Sequence, residues 1–273
     1  MAVSDEIKAQ RGKIKEMSFK EKFSYFWEYY RIPFFIVAAV IILASFLIHD
    51  IATAKPYGFY AMLINASPST QETDLEQSFS TYADIDTAKY DCYIDTATTL
   101  NLNSTNQYDM ASIQKIMAVV AAGDLDTMVA DYNSFSHYAM NDTFTDLRKV
   151  LSKDQLAKYS DDLYYVDYAV ITAAENEDVS SESASDSSVA STLSSGADML
   201  DNSSSSSVGT ADQFVKPDPS TMTTPVPVGI ILSDAAALKD ADIYTGTVPV
   251  LGITQNTARI EEALKFIDYL FQK

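Results

Sequence analysis

The chain is poor in the side chains that most often carry chemistry. A single cysteine, Cys92, excludes a disulfide framework, and two histidines, His49 and His137, leave too few ligands for a Cys/His zinc site. Basic residues are also scarce: 19 Lys and Arg stand against 38 Asp and Glu, a net charge of −19 over 273 residues. Phosphate backbones are held by clustered Lys and Arg, so this balance argues against a nucleic-acid partner. No P-loop, dinucleotide fingerprint or G-x-S-x-G turn occurs. Paired acids are present (Asp84/Asp86, Asp124/Asp126, Asp161/Asp162), but the calcium-loop spacing with its central glycine is not. His137 reads as a partly buried structural residue, His49 as interfacial and Cys92 as a small buried hydrophobe. The expectation is a non-catalytic protein with no metal and no cofactor.

What the chain does have is a long apolar run. Residues 32–48 (IPFFIVAAVIILASFLI) carry no charge, and the low-charge stretch extends to Ala54. Seventeen helical residues span about 26 Å and twenty-three about 34 Å, which brackets a hydrocarbon core of roughly 30 Å. A buried soluble helix and a cleaved signal peptide are the alternatives. Against cleavage, the run is long for an h-region and lacks a clean A-x-A exit. The reading is an uncleaved signal anchor over 32–54 with the lipid bilayer as its first partner. Residues 1–31 carry seven bases and five acids, and the remaining residues 12 bases and 33 acids. The positive-inside rule then puts the N-terminus in the cytoplasm and the acidic bulk outside a bacterial cell membrane. Within the 1–31 tail, Phe19, Phe23, Phe26, Trp27 and Tyr30 fall on one helical face, an interfacial amphipathic helix. Pro33 suits the first turn of the next helix.

From Lys55 onward, strand-like and helix-like patterns alternate. Strands are expected at 57–65, 91–98, 125–130, 163–172, 228–232 and 248–253. Helices are expected at 73–83, from Asp109 to a stop at Gly123, at 135–139, at 155–159 and at the end of the chain. The first long one would bury Met110, Ile113, Met117 and Val120. The last would bury Ile260, Leu264, Ile267 and Phe271, capped by Asn256 or Thr257. This alternation predicts an α/β domain with mainly parallel strands, built from 55–175 and 214–273. Between them, residues 176–213 are dominated by Ser, Asp and Glu. From Tyr159 to Val215 there are eleven acids and no base. Such a segment cannot bury enough apolar surface to offset its ordering entropy, so it is read as a disordered acidic insertion.

Three stretches resemble the extracellular solute-binding proteins of ABC importers, the type II periplasmic-binding fold. They are residues 112–151, where Gly123, Asp124, Asp126, Asp131, Asp146 and Leu147 carry the likeness, PVGIILSDAAAL (227–238) and TQNTARIEEALKFIDYLF (254–271). The resemblance implies a membrane-anchored, extracytoplasmic type II-like lobe that binds a small polar solute and works with a membrane protein such as a transporter. In open α/β sheets the ligand crevice lies beyond the carboxyl ends of the strands. The loops there bear Asn65, Ser67, Thr98, Asp131 and Asn133, the candidate ligand-binding residues. Asp131 would receive an amine or sugar hydroxyl, and Asn133 would offer both a donor and an acceptor. Both also suit the cap of a helix starting near Ser134. Outside the insertion the ectodomain holds 181 residues, one full lobe and at most a small second one. A structural subunit of an envelope complex with a closed crevice is therefore the rival expectation, and an envelope hydrolase a third.

Overall fold

The computed structural model describes residues 18–67, 72–104, 106–173 and 208–272. Residues 1–17 of the basic tail and 176–207 of the acidic insertion lie outside the described residues. The chain separates into two units, Met1–Lys55 and Pro56–Lys273.

Helix α1 (Phe19–Thr53) runs for 35 residues with Pro33 inside it. Pro33 thus sits within a single helix, where the sequence suggested the first turn of a second one. A missing N–H removes one rung of the ladder, a loss that the other turns of a 35-residue helix outweigh. The window Ile32–His49 has a mean hydropathy of 2.6 and none of it is buried. At 1.5 Å per residue it is about 27 Å long. It is the one helix among the described residues long and apolar enough to cross a membrane.

The second unit is an α/β domain on one six-stranded mixed sheet in the order β2-β1-β3-β6-β5-β4. Its strands are β1 (Tyr57–Ile64), β2 (Asp91–Asp95), β3 (Thr127–Asp131), β4 (Leu163–Asp167), β5 (Pro225–Ile231) and β6 (Pro249–Ile253). Between them lie α2 (Glu72–Ala83), α3 (Gln107–Ala122), α4 (Tyr132–Met140), α5 (Leu147–Val150), α6 (Lys153–Lys158) and α7 (Ala236–Asp240), with α8 (Ile260–Leu270) closing the chain. Strand β1 pairs in parallel with both β2 and β3, while the β3–β6, β6–β5 and β5–β4 pairs are antiparallel. The expectation of a mainly parallel sheet is corrected to a mixed one. Alternating patterns reveal crossovers such as β1–α2–β2. They cannot show that the chain between β5 and β6, although it carries α7, returns antiparallel.

Both sheet faces are covered, which is why β1 reads as a continuous apolar run. Phe59, Ala61 and Leu63 pack with Phe79 of α2 and Phe266 and Ile267 of α8. Tyr60, Met62 and Ile64 pack with Ile116 of α3 and Phe135 and Tyr138 of α4. Several expected faces are rotated. In α3 the buried apolar residue is Ile116, with Ile113 and Val120 of the expected face packed beside it, whereas Met110 is exposed; in α8 the buried stripe is Ala263, Phe266, Ile267 and Leu270, with Leu264 and Phe271 packed at its margin, whereas Ile260 is exposed. Asn106, not Asp109, caps α3: its side chain accepts from the Asp109 N–H, and Asp109 accepts in return from the Asn106 amide. Residues 168–172, expected as the end of a strand, are helical.

At the amino end of β3, Asp126 is fully buried. Its carboxylate accepts from the Tyr60 N–H at 2.8 Å, from Arg259 Nε at 2.9 Å and from the Thr257 hydroxyl. Arg259 also donates to the Asp124 carbonyl. Gly123 ends α3 at φ +71°, and the Asn256 carbonyl lies 3.0 Å from where a Cβ would stand. The Gly123-Asp124-x-Asp126 stretch therefore joins α3, β3 and the chain entering α8. Burial pushes the Asp126 carboxyl up, against Arg259, Thr257 and the Tyr60 N–H.

Two stability outcomes follow from these contacts. Replacing Arg259 by Leu leaves a buried charge unpaired and should cost about 3 kcal/mol at pH 7. Asp126 then titrates higher still, so the deficit against the parent should grow as pH rises from 4 to 7; urea unfolding across that range measures it, and a pH-independent deficit would contradict the pairing. The Thr127 hydroxyl is buried without a hydrogen-bond partner. Thr127→Val should therefore stabilise by about 1 kcal/mol, read as a rise of roughly 2–4 °C in Tm.

Candidate functional site

The carboxyl ends of β1, β2 and β3 open on one edge of the sheet, and the antiparallel β6 enters from that same edge, with Pro249 opposite Asp131. Residues 243–248 therefore meet the three loops in which the candidate residues lie. The structure brings Asn65 and Asp131 together there with Ser134; Thr98 and Asn133 join them through the backbone only, the Thr98 carbonyl accepting from the Asn65 N–H and the Asn133 N–H donating to Asp131, while Ser67 lies apart.

Asn65 ends β1 with φ +59°, a left-handed conformation that asparagine tolerates. The turn aims its amide into the edge. Asn65 Nδ2 donates to Asp131 Oδ2 at 2.9 Å and to the Leu100 carbonyl at 3.0 Å, while its Oδ1 accepts from the Leu100 N–H at 2.8 Å. It stitches the β1 loop to the β2 loop.

Asp131 is fully buried at the junction of β3 and α4. Its Oδ1 accepts from the N–H groups of Asn133 (3.2 Å), Ser134 (3.2 Å) and Gly209 (3.3 Å). Its Oδ2 accepts from Ser134 Oγ at 2.7 Å and from Asn65. Five donors use up the acceptor directions of one carboxylate. Asp131 caps α4, as its position allowed, and holds four segments at once. Behind it the Tyr244 hydroxyl is directed at the carbonyls of Ile64 (2.8 Å) and Val129 (3.1 Å). Burial and the Asp131 charge keep this phenol far above its ordinary pKa, so it remains a donor.

The other candidates are spread around this hub. Thr98 is buried; its hydroxyl donates to Asp95 Oδ2 at 2.6 Å and accepts from Lys115 Nζ at 3.1 Å. Burial pushes the Asp95 carboxyl up, but Lys115 at 2.5 Å, Thr98 and the Ala97 N–H outweigh it and hold the group below its ordinary value. Ser67 donates its N–H to the Ile243 carbonyl and shares a 3.2 Å hydroxyl contact with Thr245. The Asn133 side chain makes no hydrogen bond to the described residues and is half-exposed. An open depression of about 330 Å³ lies nearby, lined by Asn65, Ala66, Thr99, Leu100, Asn101, Asp109 and Val208.

Sequence reasoning missed Gly209 and Thr247. Residues 208–213 were assigned to the acidic insertion on composition, yet they are built into this edge. The Gly209 N–H reaches Asp131, its carbonyl accepts from the Thr247 hydroxyl, and the Ala211 N–H donates to the Gly246 carbonyl at 2.8 Å. The available signal was slight: the serine run ends at Ser207, and residues 208–211 contain neither serine nor acid. Elsewhere, burial lowers the His137 imidazole, which lies edge-on to Tyr138, and raises the Cys92 thiol to about 12. No three His, Cys, Asp or Glu side chains gather as metal ligands among the described residues.

Compared with protein-family models, with curated proteins and with solved structures, the chain matches none. Its functional reading therefore rests on the geometry above.

That geometry gives Asp131 a structural workload. Asp131→Ala should lower stability by about 2–3 kcal/mol, combining a lost helix cap with buried donors left unpaired. Asn133→Ala should change it by less than about 0.5 kcal/mol. Urea unfolding of the detergent-solubilised chain separates the two; equal effects would contradict the hub.

Proposed function

We propose that the chain is a membrane-anchored, non-catalytic interaction module of the bacterial cell envelope. Helix α1 spans the bilayer with its N-terminus in the cytoplasm, and the α/β domain stands outside, where it contacts another membrane protein. One observation carries this reading. At the strand edge where an open α/β sheet would take a ligand, the buried Asp131 carboxylate is saturated by the chain's own donors, one of them the Gly209 N–H. A receptor for an amine or sugar needs that carboxylate unpaired in the empty state. The kinship with solute-binding proteins belongs to the same proposal. It is supported by the resemblance of three stretches, two of which form α3–β3–α4 and the entry to α8. The domain would be a reduced lobe whose crevice has been filled.

The open depression beside Asn65, Thr99, Asn101 and Asp109 supports a second reading, in which a small polar solute is held there. A thermal-shift screen of the purified chain with amino acids and sugars distinguishes the two. The interaction module gives no shift with any class, together with in-membrane crosslinking to one defined protein. A shift of several degrees that is lost in Thr99→Trp would replace it with the solute reading. Protease added to intact cells should cleave within the ectodomain and spare an epitope placed at the N-terminus.

A further inference from the structure

The segment Val208–Phe214 occupies the crevice in the manner of a bound peptide. Three of its contacts use its backbone: the Gly209 N–H on Asp131, the Gly209 carbonyl on the Thr247 hydroxyl and the Ala211 N–H on the Gly246 carbonyl. The segment makes one 3-10 turn over Ala211–Gln213, and backbone contacts of this kind give affinity with little regard to side chains. Two further features select a sequence. A Cβ on Gly209 would lie 2.2 Å from Cε1 of Tyr132, so any larger residue there requires that ring to move aside. Five residues on, the Phe214 ring packs against the same Tyr132 at 5.3 Å between centroids. Tyr132 thus reads both a glycine and an aromatic from one side chain, at the first turn of α4. The receptor side is prebuilt, since Asp131 is fixed by Asn65 and Ser134 whether or not Gly209 is present.

From these contacts we infer that this edge is a recognition groove for a peptide segment with a glycine, a single 3-10 turn and, five residues after the glycine, an aromatic. Val208–Phe214 fills it in cis and is displaced by a partner segment of that chemistry. The inference rests on the interaction-module reading and specifies how its site is regulated. A tethered occupant competes at an effective concentration on the order of millimolar. If the segment's intrinsic dissociation constant is on the order of 100 µM, a free peptide binds about tenfold more weakly to the parent than to a chain whose own segment is disabled.

The test uses the full chain in detergent and a fluorescent synthetic peptide of residues 206–216. In the G209A chain the added methyl expels the internal segment, and the peptide should bind about tenfold more tightly than to the parent. A peptide with alanine in place of its glycine should lose at least tenfold in affinity for G209A. Since an added methyl at Gly209 also tests folding, F214A serves as the second background: it removes the ring contact without adding atoms, and a peptide retaining Phe should again gain over the parent. Equal peptide affinity for parent, G209A and F214A would overturn the inference, as would indifference to the peptide's glycine or the absence of binding to a folded F214A chain. These outcomes are independent of crosslinking. Peptide binding without any membrane partner would sink the interaction-module reading and leave the groove; a partner captured equally by parent and G209A would do the reverse.

Discussion

Two carboxylates, Asp126 and Asp131, bracket β3, and both are withdrawn completely from water. A buried charge costs several kcal/mol unless partners replace its hydration, and this requirement organises the domain. At the amino end the partners are a backbone N–H of β1 and the Arg259 and Thr257 side chains leading into α8. At the carboxyl end they are the cap of α4, the Asn65 amide after β1 and the Gly209 N–H that follows the acidic insertion. A five-residue strand therefore collects chain from across the whole domain. Hydrophobic packing on both faces supplies most of the stability, but it is non-directional. The two carboxylates fix which segments meet at each edge.

The two ends differ in what they can do. Asp126 is paired with a guanidinium and enclosed by the chain that enters α8, so its role is closed. Among the described residues no cation lies against Asp131. Its donors are neutral: the Asn65 amide, the first turn of α4 and the Gly209 N–H, the last from the segment that follows the acidic insertion. Neutral N–H donors can be exchanged for those of another chain at little electrostatic cost, whereas replacing an ion-pair partner would expose an uncompensated charge. The carboxyl edge of β3 is accordingly the end at which an exchange of partners is physically reasonable.

Much of this was legible in the sequence. The apolar run of α1, the continuous apolar β1, the stop at Gly123 and the carboxyl-edge loops can each be read from local pattern, because each depends on residues close in sequence. Asp131 as a helix cap was also readable, from its position ahead of Ser134. Other features were not readable, and for identifiable reasons. The face of α3 was misplaced because that helix carries apolar residues around most of its circumference; in α8 the polar side of Glu261, Glu262, Lys265 and Asp268 is clear, but its apolar arc is broad, and only packing decides between Phe266 and Ile260. The antiparallel return of β6 depends on a pairing more than a hundred residues away from β3. Gly209 was hidden by composition: its six-residue stretch directly follows the serine-rich chain, and its importance comes from the ring of Tyr132.

This last case bears on how the site should be understood. Averaged over a window, composition measures the capacity to bury apolar surface, and the stretch before Phe214 has almost none. Yet Val208–Phe214 is held mainly by backbone hydrogen bonds and by a glycine that lets the chain approach an aromatic ring, neither of which requires apolar side chains. A segment bound this way gains little from burial and remains close in free energy to its displaced state. Weak intrinsic holding combined with a covalent tether gives an occupant that is present by default and yields to a competitor of matching shape. A hydrophobic strand in the same place would be a permanent part of the core. The polar character of the residues around Gly209 is thus consistent with the groove being filled in a replaceable way.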